Sequence, residues 1–151
     1  MEDAASALSA MIDRYDPALA ACGRSAVERL GARVPTATRL VYDNYNALVV
    51  GFGPDERASS AILSLAFYPR WVTLFFLNGT GLDDPGGILK GQGVRVRHVV
   101  LRSAADLDSP AIRRLIDQAL ERAAVPLPVE GRGPLVIKSV SSRQRARRPR
   151  A

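Results

Sequence analysis

Hydrophobic and polar positions change period twice along this chain. Leu8, Met11, Ile12 and Tyr15 recur at helical spacing, and Leu19, Cys22, Ala26 and Leu30 continue a second stripe. Between them Asp16-Pro17 reads as an N-cap followed by proline at the first helical position. Gly31 and Pro35 end the pattern. Residues 5–33 are therefore expected to be one helix bent near Asp16, or two in succession. The period then shortens. Thr38–Asp43, Ala47–Phe52, Ile62–Phe67 and Trp71–Leu77 read as strands. Asn44-Tyr45-Asn46 and Tyr68-Pro69-Arg70 are the turns that join them in pairs. Trp71, Thr73 and Phe75 share one face and Val72, Leu74 and Phe76 the other, so apolar residues lie on both sides. That suits a central strand, or one covered on both faces.

Residues 78–93 hold six glycines and a proline and read as a loop. Val94–Leu101 alternates again, with Val94, Val96, His98 and Val100 on one side and Arg95, Arg97 and Val99 on the other. This predicts a half-buried strand with a basic outer face. Ser109-Pro110 opens the clearest amphipathic helix, whose stripe is Ile112, Leu115, Ile116, Ala119 and Leu120. A linker follows over 125–134. Leu135–Ile137 reads as a short strand or a docked segment.

Strands joined by short connections must pair antiparallel, because parallel pairing needs a crossover of a dozen or more residues. The expected fold is therefore α+β, with an antiparallel meander of about five strands and the terminal helices packed on one face. Residues 1–137 form one domain, and residues 138–151 are expected to be a disordered basic tail, since few apolar residues there offset the entropy of ordering.

Charge sharpens this division. The tail holds Lys138, Arg143, Arg145, Arg147, Arg148 and Arg150 and no acid. The rest of the chain has 15 acidic residues and, without those six, as many basic ones; the net charge of +6 belongs to the tail. Such a segment is expected to touch nucleic acid weakly and without sequence preference, although the folded part carries no RNA- or DNA-binding signature. No apolar run approaches the length of about 20 residues that spans a bilayer, so no membrane partner is expected. A single cysteine excludes an internal disulfide, and Met1-Glu2-Asp3 lacks a secretory pattern. A cytoplasmic location is the expectation.

Candidate chemistry is sparse. Four G-x-G pairs occur, but none completes a dinucleotide fingerprint or opens a helix after a strand. Lys90-Gly-Gln-Gly93 places a lysine beside flexible amides that can hold an anion, and Arg95 and Arg97 follow on the next strand; a solvated loop has the same composition. His98, the only histidine, lies on an apolar face and suits a hydrogen-bonded core position as well as a catalytic one. Cys22 reads as a small buried hydrophobe. Asp55-Glu56, Asp83-Asp84 and the acids Glu2, Asp3, Asp13 and Asp16 lack calcium-loop spacing, and capping or turn formation accounts for Asp16 and Asp83. Tyr42, Asn44, Tyr45, Tyr68, Arg70 and Trp71 stand near strand ends, where such groups line clefts or pack across a sheet. No nucleophile–base pair, metal cluster or phosphate loop is present in the pattern, so no cofactor and no catalytic set are expected.

Ile12-Asp-Arg-Tyr15, Leu40-Val-Tyr-Asp-Asn-Tyr45, Phe67-Tyr-Pro-Arg-Trp71 and Leu89-Lys-Gly-Gln-Gly93, with Arg97-His98, carry a resemblance. Over about Ile12 to Ala123 the chain resembles the YdhG-like domain family, bacterial proteins carried largely as a domain of unknown function. The resemblance implies a compact α+β fold with an antiparallel sheet and flanking helices. Some relatives are described as frataxin-like iron chaperones, which makes iron handling an alternative role; no iron ligand carries over residue by residue. The polar members of the shared motifs, Tyr42, Asn44, Tyr45, Lys90 and Arg97, are the expected site, and its ligand is expected to be small and polar or anionic.

Overall fold

The computed structural model describes residues 3–149. Two helices open the chain, α1 over Ala4–Ile12 and α2 over Pro17–Arg33. The Asp3 carboxylate caps α1 by accepting from the Ser6 N–H at 2.7 Å, which lowers its pKa. Four antiparallel strands follow: β1 Thr38–Asp43, β2 Leu48–Gly53, β3 Leu63–Phe67 and β4 Val72–Phe76. After the glycine-rich loop comes β5, Arg97–Leu101, then α3, Pro110–Glu121, and finally β6, Leu135–Val140. Ser109 caps α3 through its hydroxyl, which accepts from the Ile112 N–H.

The strands form one six-stranded sheet in the order β5-β4-β3-β2-β1-β6. The first five in that order are the expected meander. The sixth makes the sheet mixed, because β6 runs parallel to β1. The local rule that short connections give antiparallel pairs holds for each hairpin, but β6 arrives after α3 and the long 122–134 segment, and that length permits a parallel approach. Gly133 fixes its entry. The Gly133 N–H donates to Pro35 O at 3.0 Å, and any side chain there would overlap the Ala37 carbonyl.

All three helices serve one face. Leu8, Ile12, Leu30 and Leu115 share a single buried cluster with Val41, Val50, Leu65 and Leu74, which stand in one row across the sheet. Leu40 and Ala66 alternate to the opposite face and lie outside that cluster. Tyr15 ties the α1–α2 junction to the sheet, its hydroxyl donating to Phe67 O at 2.8 Å and accepting from the Leu48 N–H at 3.2 Å. Gly23 lets α2 approach β3, since a methyl added there would collide with the Phe67 ring.

Two expectations need correction. Residues 138–149 are ordered: β6 runs on to Val140, and the following segment folds back, with the Ser141 N–H donating to Asp43 O at 2.8 Å and the Arg145 N–H to Tyr45 O at 2.9 Å. Arg150 and Ala151 of the expected tail lie outside the described residues. Main-chain pairing to β1 and a buried ion pair replace the apolar contacts whose scarcity suggested disorder. The faces of β5 are also exchanged. Val99 and Leu101 pack toward the helices, while His98 is half-buried and Val100 is 46% exposed on the other side.

Candidate functional site

The five expected site residues fall into two groups. Asn44 and Tyr45 occupy the β1–β2 turn and receive the C-terminal segment. Arg147 donates to Asn44 O at 2.5 Å and to Tyr45 O at 3.3 Å, and the Arg145 guanidinium lies 5.5 Å from the Tyr45 ring centroid. Lys90 and Arg97 lie at the other side of the sheet, where Lys90 shares the face of His98 and Arg97 falls on the opposite one. Lys90 and His98 exchange main-chain hydrogen bonds of 2.8 and 2.9 Å, and Arg97 turns back onto Gly93 O and Val96 O. Strands β1 and β5 are four strand spacings apart, roughly 19 Å at the usual spacing. One pocket therefore does not hold all five. Tyr42 and Lys90 do share a face, because Lys90 pairs with His98, and alternation puts His98 and Tyr42 on the same side.

The most buried charges are structural. Arg147 donates to the Asp43 carboxylate at 2.8 Å, with the side chains 2% and 4% exposed. Arg14 adds a second, more exposed cation at 3.7 Å. The Arg147 guanidinium also stands 5.9 Å from the Tyr15 ring centroid, and its Nε is buried without a partner. Gln144 joins the cluster, donating to Asp43 O at 3.0 Å and accepting from Arg14. Burial pushes the Tyr15 hydroxyl pKa up, while the Arg147 charge opposes the shift. Asp43 falls in register with Leu48 on the helix-covered face. A carboxylate in that apolar row is the sequence signal that a distant cation must meet it.

A different set of cations stands free to meet a ligand. A cleft of about 390 Å³ opens where the first turn of α2 faces the β3–β4 turn and the end of β5. Arg70, Trp71 and Arg102 line one side, and Asp16, Ala18, Leu19 and Cys22 the other. Arg70, Trp71 and Arg102 are all exposed. Pro17 stands at the first position of α2, and the Asp16 side chain makes no capping bond to that helix. It lies instead 3.8 Å from Arg148. The first-turn amides of Ala18 and Leu19 therefore keep their donor capacity toward the cleft, where the helix dipole favours an anion. Two guanidinium groups add full charges and planar, paired donors. Desolvation and the nearby Asp106 carboxylate push the Cys22 thiol pKa up, which opposes formation of the nucleophilic thiolate.

The sequence drew attention to Arg70 and Trp71 through the Tyr68-Pro-Arg-Trp71 turn but gave no signal for Arg102, which reaches the cleft from a distant strand. Among the described residues no group of three or more His, Cys, Asp and Glu is placed to hold a metal ion. No described helix is long and apolar enough to cross a membrane. Comparison with known proteins finds no matching family model, no similar curated protein and no similar solved structure.

Proposed function

We propose that this chain is a YdhG-like domain that binds a small anionic ligand in the cleft between α2 and the β3–β4 turn. The convergence of Arg70 and Arg102 on the uncapped start of a 17-residue helix carries this reading. Both guanidiniums lack a described hydrogen-bonded or ion-paired partner, whereas Arg147 and Arg148 are engaged within the chain. Trp71 offers a flat apolar wall, so a ligand that joins an anionic group to a ring suits the cleft better than a bare ion.

The test is an amide NMR titration with inorganic phosphate and, separately, with a phosphorylated ring compound. Shifts centred on Ala18, Leu19 and Trp71 are expected, with binding reduced about tenfold or more in Arg70→Ala or Arg102→Ala. Shifts scattered over the surface, or equal affinity in both variants, would remove the cleft from consideration.

A further inference from the structure

The face of the sheet that the helices leave uncovered is built unlike an ordinary solvated face, and it goes beyond the cleft. Register places Leu40, Gly51, Ser64, Phe75 and His98 in one row across it. The neighbouring row is Tyr42, Val49, Ala66, Thr73 and Val100. Small side chains and a glycine thus form the middle, where Leu40, Gly51, Ser64, Ala66 and Thr73 are themselves buried, and half-buried rings flank it, Tyr42 on one side and Phe75 and His98 on the other. The Phe75 and His98 ring centroids are 5.5 Å apart, and both rings are half-buried rather than sealed. A second ring pair, Tyr68 and Trp71 at 6.3 Å, stands where the face meets the cleft.

Charge is one-sided here. No strand position on this face is acidic among the described residues. Lys90 extends the first row beyond His98, and Lys138 occupies the register shift where β6 passes Tyr42. Both are exposed. Cations therefore stand at the two lateral ends, about six strand spacings or roughly 28 Å apart, with rings and small residues between them.

We propose that this face binds single-stranded nucleic acid, with bases lying against Tyr42, Phe75 and His98 and the backbone held at its ends by Lys90 and Lys138. Base stacking on aromatic rings tolerates any sequence, and flanking cations track phosphates. A duplex does not suit the face, because paired bases cannot reach the rings. A second copy of this chain would set like charges against each other. This site does not depend on the cleft, and its central residues lie outside the cleft lining.

The experiment is fluorescence anisotropy of a labelled oligothymidylate at low salt, against a mixed-sequence single strand and its duplex. Both single strands are expected to bind at least tenfold more tightly than the duplex. Phe75→Leu and His98→Ala should each weaken binding about tenfold, in line with the energy of one stacked base. Phe75→Leu keeps the apolar contact and His98→Ala alters an edge strand, so circular dichroism should show both folded. Lys90→Ala together with Lys138→Ala should flatten the salt dependence. Arg70→Ala should weaken phosphate binding in the cleft about tenfold or more yet leave oligothymidylate binding within about twofold, which separates the two sites. Equal binding of single strand and duplex, wild-type affinity in both folded ring variants, or no binding of any single strand would overturn the proposal.

Discussion

The two faces of the sheet use the same strands for opposite ends. Leu74 and Phe75 are neighbours on β4, yet Leu74 is fully buried against helices and Phe75 stands half-buried on the face away from them. Two glycines make the same contrast. Gly23 exists because α2 presses on Phe67, whereas a side chain at Gly51 would meet only ordinary contacts, 3.8 Å from the Ala61 methyl and from Leu40 O. One face is specified by packing, where a methyl group too many or too few is felt. The other carries partly exposed rings beside a floor of small buried residues. Stability and ligand binding should therefore separate by face, and substitutions can test that division.

The largest effect should come from the charge pair at the edge of the covered face. Asp43→Ala or Arg147→Ala strands the partner in a buried site and is expected to cost about 3–5 kcal/mol. Urea denaturation measures this, and a loss below 1 kcal/mol would mean that water screens the pair. Next, Leu74→Ala should cost about 2–5 kcal/mol by cavity formation, and Phe75→Leu distinctly less. Equal losses would break the distinction between faces. Gly23→Ala should cost about 1–3 kcal/mol by overpacking, against about 0.5 kcal/mol or less for Gly51→Ala. Thermal melts of the two alanine variants compare them directly.

The smallest effect is a pH dependence. Burial favours the neutral Tyr15 phenol, so its folded pKa lies above the ordinary value near 10. Its contribution is complete below about pH 10 and is lost as pH rises through the folded value. The urea midpoint of the wild type should therefore drop at alkaline pH more than that of Tyr15→Phe. Parallel profiles would show that other groups set the alkaline limit.

Much of the fold was legible because it is local. Periodicity placed the helices and the strands β1 to β4 within a residue or two, and β1 to the residue. What stayed hidden depends on partners far apart in sequence. β6 reads as three residues by its apolar run, but its pairing with β1 carries it to Val140. Alternation told that His98 and Arg97 face opposite ways but not which way the helices lie, so the inner side of β5 was exchanged. The same limit applies to the site. Tyr42 and Lys90 came from sequence motifs, while their common face follows only from the register of five strands. Arg102 and the cleft it lines have no local signature.

The clasp of β6 and Arg147 also has a kinetic consequence. Arg39 and Leu135 pair although nearly a hundred residues separate them, whereas the β1–β2 and β3–β4 hairpins close over a few. Long loops close last because their ends must meet at the greatest entropic cost. The clasp should then be absent from the transition state for folding. Substitutions in it would leave the refolding rate near that of the wild type and accelerate unfolding instead. Arg147 would thus set how long the native state lasts once formed, more than how quickly it is reached.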